Sequence, residues 1–205
     1  SVETLMGQMG RIQHARYERR ADDQSLLIKG VDFEDSASRP VLNMGSLDVR
    51  VSNDWEDAGL SIVDLTFSPA TFLYPDMVKR LSIPDDISEM NVNADIRKTA
   101  QRLDASIQSR HILNFEMTAE VKNLNVPLTA VIDSAEISFR DEGLFSMYKG
   151  FMGESLPDTV RSGNFPGLPS IAKTEKFEGL RNGVADWLAK GEGYARIDPE
   201  APVAM

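Results

Sequence analysis

The chain of 205 residues has no cysteine and only two histidines, His14 and His111. The lack of cysteine excludes disulfide frameworks, cysteine-ligated zinc, iron–sulfur clusters and thiol nucleophiles. Two histidines leave little material for a His-rich metal site, and His111 at the start of a predicted strand is expected to be structural. The sequence therefore predicts no bound metal and no cofactor.

The short motifs of several large enzyme classes are also missing. The sequence contains no G-x-S-x-G, G-x-x-x-x-G-K-[ST], G-x-G-x-x-G or H-E-x-x-H, which mark serine hydrolases, P-loop NTPases, Rossmann cofactor sites and zincins. Two acidic clusters remain, one of Asp54, Glu56 and Asp57 and one of Asp85 and Asp86. Neither has the alternate spacing and glycine turn of a calcium loop. We expect exposed turns there and no enzymatic activity, with a hydrolase built on these carboxylates as the remote alternative.

Positive charge is scarce, since 22 Lys and Arg residues face 32 Asp and Glu residues and the formal net charge is −10. Non-specific binding of nucleic acid requires Lys and Arg to neutralise phosphates, so the sequence predicts no nucleic-acid partner. Residues 1–20 are an exception, with a net charge of +2 against −12 for the remainder. This basic N-terminus either contacts an anionic membrane surface or is an ordinary solvated face. The sequence contains no apolar run long enough to span a membrane, and it contains no hydrophobic core of a signal peptide.

Alternating apolar and polar residues predict a series of strands. We expect them at residues 14–20, 26–33, 41–51, 59–67, 87–94, 103–107, 111–121, 128–132, 135–139 and 194–197. Turn-forming Asn, Asp and Gly residues separate these segments. Such a succession favours an antiparallel meander over a parallel sheet.

Three helical segments accompany the strands. A serine–proline pair predicts a helix over 69–81, and Asp141 is expected to cap a helix over 144–153. A longer helix is expected over 170–190, where a lysine and then a glycine end it. No repeat or low-complexity linker divides the chain. The sequence thus predicts one α+β domain over residues 1–205, a curved antiparallel sheet covered on one face by two or three helices.

Methionine and phenylalanine are abundant, with nine residues of each. Many lie on predicted helix faces, where flexible thioethers suit an adaptable apolar groove and, equally, an ordinary core. The helix over 144–153 is the expected movable wall of such a groove, because it is short and a loop with proline and glycine follows it. The side chains predicted to line the groove are Met147, Tyr148, Phe151, Met152, Phe177 and Trp187.

Three segments together resemble a group of bacterial envelope proteins. Residues 135–144, AEISFRDEGL, resemble the group's strand–D-x-G-L–helix junction, and the helix that follows and its spacing to the next helix also fit. Residues 184–188, VADWL, with 195–203, ARIDPEAPV, are similar to its helix–strand–P-x-x-P ending. The group comprises inner-membrane-anchored periplasmic proteins of unknown function, some of them distantly AsmA-like. The resemblance spans mainly residues 130–205.

The resemblance implies a periplasmic or cell-envelope location and brings no catalytic residues. It also implies that the chain is a fragment or a processed form of a longer envelope protein. With the apolar groove, it favours a non-enzymatic protein that binds a lipid-like ligand or a membrane-associated partner. The alternative is a structural or scaffolding interaction module without a small ligand. The oligomeric state stays open.

Overall fold

The structure, a computed structural model, describes residues 11–13, 16–20, 25–34, 37, 40–51, 57–124, 131–166, 168, 170–198 and 203–204. Eleven strands in this part of the chain form one open antiparallel sheet. They are β1 (Arg11–Gln13), β2 (Arg16–Arg20), β3 (Ser25–Glu34), β4 (Pro40–Val51), β5 (Ala58–Phe67), β6 (Met90–Lys98), β7 (Arg102–Gln108), β8 (Leu113–Lys122), β9 (Val131–Asp141), β10 (Glu192–Ile197) and β11 (Val203–Ala204).

The order of strands in space follows the chain from β3 to β10. Strands β1 and β2 both pair with β3, and β11 pairs with β9 beyond the end of β10. The expected α+β class and the antiparallel meander are therefore confirmed, and so is the hairpin of β2 and β3. The predicted cover of one sheet face by helices stays a prediction, because the described helices contact the sheet near one end.

One strand prediction is wrong. The segments predicted at 128–132 and 135–139 are not two strands, since residues 131–141 form the single strand β9, and residues 128–130 lie outside the described part. The polar pair Asp133 and Ser134 resembled a turn in the sequence. In the structure Asp133 lies on a continuing strand and accepts a salt bridge from Lys122 at 2.9 Å. A bulge beside Val121 keeps β8 and β9 paired past this point.

Strands β3, β4 and β5 are irregular at the same level of the sheet. The pairing skips Gly30 and Gly45, and on β5 it skips Asp64. Gly30 has φ 61° and Asp64 has φ 56°, while a Cβ on Gly45 would lie 3.1 Å from the Cβ of Asp64. The N–H of Asp64 donates to Asn93 Oδ1 on β6 at 2.6 Å. The register of β3 with β4 and of β4 with β5 is the same on both sides of these positions, whereas that of β5 with β6 shifts by one residue between Ile62 and Leu65. Asp64 therefore lies in a bulge of β5, and a bulge bends its own strand.

The helices lie in two connections at the same end of the sheet. The β5–β6 connection holds α1 (Pro69–Phe72) and α2 (Pro75–Arg80), and the β9–β10 connection holds α3 (Leu144–Met152), α4 (Leu156–Ser162), 3₁₀ turns at Ser170–Lys173 and Glu175–Phe177, and α5 (Glu178–Leu188). Arg80 joins the two groups, because its guanidinium donates to the carbonyls of Gly150 at 3.3 Å and Phe151 at 3.2 Å. The helices thus form one contiguous group.

Two helix predictions need correction. The helix predicted over 69–81 is divided at Pro75, whose missing N–H and fixed ring prevent a continuous backbone ladder. The helix predicted from residue 170 begins at Glu178. Arg181 explains the delay, because it donates to the carbonyls of Ala172 at 2.7 Å and Thr174 at 2.8 Å, which an α-helix would need as acceptors.

The predicted helix over 144–153 is confirmed with small differences at its start. Gly143, rather than Asp141, is the N-cap residue. The carboxylate of Asp141 still accepts from the N–H groups of Gly143 at 3.2 Å and Phe145 at 3.0 Å. It therefore satisfies free donors at the helix start, which is the chemistry the sequence predicted.

Candidate functional site

The strand register separates the sheet into an apolar and a polar face. Residues paired directly across neighbouring strands share a face, and the pairing gives three apolar rows from β4 to β10. They are Leu47–Ile62–Ala94–Ile107–Phe115–Phe139–Gly193, Val49–Leu60–Ile96–Ala105–Met117–Ile137–Ala195, and Val51–Ala58–Lys98–Leu103–Ala119–Ala135–Ile197. We call these rows the apolar face; Lys98 is the one charged residue in them.

The rows between them belong to the opposite face, because successive side chains of a strand alternate. They are Asp48–Ser61–Asp95–Ser106–Glu116–Ser138–Tyr194 and Arg50–Gly59–Arg97–Asp104–Thr118–Glu136–Arg196. We call these rows the polar face. The contrast continues across seven strands, so one side of the sheet is built for water and the other for apolar contact.

Most of the apolar face is incompletely buried. Among its rows only Ala119, Ala135 and Phe139 are buried, at 6%, 5% and 8% exposure. Ile96 and Ile197 are exposed, at 42% and 41%, and the remaining positions are half-buried. A sheet face covered by a second layer would bury nearly all such residues. The described residues thus leave a continuous apolar surface with open contacts.

Aromatic side chains from two helices meet this face at Phe139. The ring of Trp187 on α5 contacts Phe139 edge-on with 4.6 Å between centroids, and the ring of Phe145 on α3 lies at 6.0 Å. Gly193 allows the indole to approach, because a Cβ there would overlap Trp187 Nε1 and lie 3.0 Å from the Phe139 ring. The Phe139 cluster is therefore where the helices contact the apolar face.

A cavity of about 800 Å³ borders the Phe139 cluster, which is within the size range of small-molecule sites. It takes residues from β7 to β10 and the end of α5, namely Ile107, Gln108, Asn114, Phe115, Glu116, Ser138, Phe139, Arg140, Trp187, Lys190, Glu192, Gly193 and Tyr194. Arg140 and Glu192 in this lining form an ion pair at 3.5 Å. The lining draws on both faces of the sheet, since Phe115, Phe139 and Gly193 belong to the apolar face and Glu116, Ser138 and Tyr194 to the polar face.

Three buried polar atoms have no hydrogen-bond partner among the described residues: Trp187 Nε1, the Tyr148 hydroxyl and Asp48 Oδ1. Trp187 and Tyr148 belong to α5 and α3, the two helices that contact Phe139. Buried polar groups in folded proteins are nearly always paired. Both donors are enclosed by protein atoms, and Trp187 Nε1 lies against Gly193.

The polar face carries a charge network at its far end from the helices. Arg102 Nε donates to both carboxylate oxygens of Asp104, at 3.0 and 2.8 Å, and Thr118 Oγ1 donates to Asp104 at 2.9 Å. The hydrogen bond from Arg102, supported by the one from Thr118, holds the pKa of Asp104 below its ordinary value against the opposing effect of burial. A smaller cavity of about 390 Å³ adjoins this network. Four aspartates and two arginines line this cavity, so it carries charges of both signs.

The network predicts a small pH effect on stability. Because the pKa of Asp104 is depressed in the folded state, its contribution is present above the unfolded-state pKa of about 3.9 and is lost as pH falls through the folded-state value. We expect Asp104→Asn to flatten the decline of the free energy of unfolding below about pH 4, measured by urea denaturation. Thr118→Val should produce part of the same change. Superimposable profiles for wild type and Asp104→Asn would contradict the assignment.

The structure separates the six side chains that the sequence predicted to line a groove. Trp187 borders the cavity, and Met147, Tyr148 and Phe177 are half-buried. Phe151 and Met152 are exposed at 56% and 43%, and the guanidinium of Arg80 lies 5.9 Å from the Phe151 ring centroid. That these six residues line a groove for an apolar ligand stays a prediction. Phe139 was not among the predicted site residues, although the alternation over 135–139 placed it on an apolar strand face.

The acidic clusters and the basic N-terminus can be located only in part. Asp57, Asp85 and Asp86 are exposed as expected, whereas Asp54, Glu56 and residues 1–10 lie outside the described residues. Within the described ranges, no group of three or more His, Cys, Asp or Glu side chains is arranged to hold a metal ion. His111 lies in the turn before β8, and His14 is not described. None of the helices that the structure describes has the length and hydropathy needed to cross a membrane.

Comparison with known proteins adds no family assignment. No protein-family model matches the chain, and no curated protein matches it significantly. The apolar face, the Phe139 cluster and the cavity beside it are therefore the features that bear on function.

Proposed function

We propose that this protein binds an apolar, lipid-like ligand along the apolar face, as a non-enzymatic protein of the cell envelope. The observation that carries the proposal is the partial burial of three apolar rows that run across seven strands. Monomeric soluble proteins rarely expose contiguous apolar surface of this kind unless it contacts a ligand, a partner or a membrane. An acyl chain would remove such surface from water.

The shape of the ligand follows from the arrangement of the rows. Neighbouring strands lie about 4.8 Å apart, so a surface seven strands wide extends for about 30 Å, longer than a fully extended sixteen-carbon chain. The bulge of β5 at Asp64 would help to curve the sheet around such a ligand, and the helices would close one end of the resulting groove. Binding of such a ligand does not require helices to cover the rest of the apolar face.

The proposed location rests on the resemblance of residues 135–144, 184–188 and 195–203 to inner-membrane-anchored periplasmic proteins, some of them distantly AsmA-like. A lipid-binding sheet suits that setting, and a membrane-associated partner is the alternative occupant of the apolar face. A scaffolding module without a small ligand is the second candidate function, favoured by the mixed charges and broad solvated surface of the polar face. A hydrolase is the third, and the exposed positions of Asp57, Asp85 and Asp86 give it little support.

Binding of an apolar fluorescent probe tests the proposal. Ile96 is 42% exposed at the centre of the apolar face, so replacing it with glutamate places a charge there without emptying the core. We expect saturable probe binding by the wild type and a loss of about tenfold or more in affinity for Ile96→Glu, since a charge in an apolar contact costs at least about 1.4 kcal/mol.

Arg97→Glu is the matched control, because Arg97 is the next residue of β6 and lies on the polar face. It changes the net charge by more than Ile96→Glu does, yet we expect unchanged probe affinity. Equal losses in the two variants would show that charge repulsion, rather than the apolar face, governs binding. If no saturable binding were found, and mass spectrometry of an extract of the purified protein showed no lipid, lipid binding would be refuted. The scaffolding module would then be the remaining candidate function.

A further inference from the structure

Strand β10 forms one edge of the sheet, and no strand among the described residues pairs with its outer side. Natural sheets protect such an edge with proline, a bulge or charges that repel another chain. Strand β10 contains no proline, and its pairing with β9 has no register shift. Tyr194 in the middle of this edge is 60% exposed, and Ile197 at its end is 41% exposed. Of these three means of protection, only the charges are present.

The main-chain groups of alternate β10 residues are directed to the open edge. The N–H of Asp141 donates to the carbonyl of Gly191 at 2.6 Å, one pair before β10 begins. Hydrogen-bonded and non-hydrogen-bonded pairs alternate along an antiparallel ladder. The odd-numbered residues of β10 therefore bond to β9, whereas Glu192, Tyr194 and Arg196 direct their N–H and C=O groups away from the sheet.

The charges on these three residues do not repel a second copy of the same strand. Their order is Glu192, Tyr194 and Arg196, with opposite charges at equal distances from the tyrosine. A second β10 laid antiparallel, with Tyr194 opposite Tyr194, places Glu192 opposite Arg196 at both ends of the contact. Shifting that copy by two residues removes both pairs, because Tyr194 then faces one of the two charged residues. Opposite charges directly across neighbouring strands stabilise their pairing, and like charges weaken it.

The ion pairs within one copy fit the same arrangement. On the polar face Arg140 pairs with Glu192 at 3.5 Å, and Arg196 pairs with Glu136 at 3.7 Å. When Glu192 of one copy faces Arg196 of the other, charge alternates in sign across four strands. The row then runs from Arg140 of the first copy to Glu136 of the second. Edge charges of this kind select a second copy and its register.

We infer that two copies of this chain form a dimer in which their β10 strands pair antiparallel, with Tyr194 opposite Tyr194. The arrangement has the two-fold symmetry that is most common among homo-oligomers. Glu192, Tyr194 and Arg196 exchange main-chain hydrogen bonds with the other copy. Gly193 of one copy faces Ala195 of the other, so the apolar face continues from copy to copy. This inference goes beyond the proposed function and does not depend on ligand binding.

Sedimentation equilibrium of the full chain tests the dimer. We expect the wild type to dimerise reversibly in the micromolar range, because a single pair of strands is a small contact. Glu192→Arg and Arg196→Glu each place like charges opposite one another at both ends, and each should weaken the dimer about tenfold or more. An equimolar mixture of the two variants restores both opposite-charge pairs. It should form a heterodimer at least about tenfold tighter than either homodimer.

Two control variants make the same charge changes away from the edge. Glu116 on β8 and Arg97 on β6 are exposed residues of the polar face. Glu116→Arg and Arg97→Glu should dimerise as the wild type does. Thermal unfolding of all four variants separates a lost dimer from a lost fold.

Hydrogen exchange gives a second readout of the same contact. The N–H groups of Glu192, Tyr194 and Arg196 should exchange more slowly as the protein concentration rises, because the second copy protects them. Those of Gly193 and Ala195 are bonded to β9 in the monomer, so their exchange should not depend on concentration. The alternation along β10 distinguishes strand pairing from burial of the whole segment.

Three outcomes would overturn the inference. A monomer at every concentration would show that a second copy does not occupy this edge. A dimer that both charge variants retain and Ile96→Glu loses would show that two apolar faces contact each other instead. Failure of the mixed variants to associate would rule out the register centred on Tyr194. Probe binding is measured separately, so its absence would refute the proposed function and leave the dimer standing.

Discussion

Replacing Gly150 with alanine should destabilise the protein by about 3 kcal/mol, near the upper end of the usual cost of inserting a methyl group into a packed site. A Cβ at this position of α3 would overlap the carbonyl oxygen of Arg80, and it would lie 2.8 Å from that carbonyl carbon and 2.9 Å from the Cα of Leu81. All three are backbone atoms, so no side-chain rotation relieves the clash. Urea denaturation of wild type and variant measures the effect.

Gly183 provides a matched control for this substitution. It also lies inside a helix, α5, and a Cβ there would meet nothing within 4 Å. Alanine is a better helix former than glycine by about 1 kcal/mol, so Gly183→Ala should be slightly more stable than the wild type. If Gly150→Ala were as stable as Gly183→Ala, the close contact between the helix connections would be refuted.

The Gly150 contact also bears on the idea of α3 as a movable wall. The helix is short and is followed by a glycine, as the sequence indicated. Its C-terminal turn, however, is held against α2 by the close approach at Gly150 and by two hydrogen bonds from Arg80. Movement of α3 alone would break both. A wall that opens would have to carry α2 with it.

Strand positions were largely predictable from the sequence because their signal is local. The alternation of Leu113, Phe115, Met117, Ala119 and Val121 marks one strand face, and the structure pairs all of them except Leu113 with further apolar residues. The row-by-row pairing of distant strands is not local. It depends on bulges such as the one at Asp64, a non-glycine residue with φ 56°. The residues around Asp64 in the sequence do not predict this backbone conformation.

Helix boundaries and buried helix faces were predicted less well because tertiary contacts determine them. Leu180 and Val184 lie at helical spacing from Trp187, yet they are 63% and 37% exposed. The most buried residue of α5 is Ala185, at 0%, and that of the adjoining α4 is Thr159, at 2%. Close helix packing favours small residues at the contact, whereas the size of an apolar side chain governed the sequence prediction.

The candidate surface and the predicted groove lining lie in different places. Apolar lining was expected, and Trp187 does border the cavity. The helix residues Phe151 and Met152 were emphasised, whereas the continuous apolar surface lies on the sheet. A sequence shows that a strand has an apolar face, but only the number and order of paired strands show how far that face extends.

Truncation of Phe139 to alanine is the other change with a large expected effect. Phe139 is 8% exposed and contacts rings from both α3 and α5, so its loss empties the point where the helices meet the sheet. We expect a loss of about 3–5 kcal/mol, a large fraction of the stability of a typical domain, measured by urea denaturation. Phe165→Ala, at a position 36% exposed, should cost about 1 kcal/mol or less.

A double-mutant cycle distinguishes a shared cluster from two independent core positions. Trp187→Ala alone should also be strongly destabilising, since the two rings are in edge-on contact at 4.6 Å. Once Phe139 is alanine, the indole has already lost its main partner, and the second truncation should cost at least about 0.5 kcal/mol less than it does in the wild type. Additive losses would mean that Trp187 draws its stability from elsewhere, and that α5 does not depend on Phe139 to contact the apolar face. Coupling between these two residues is therefore the direct measure of how the helices close this end of the sheet.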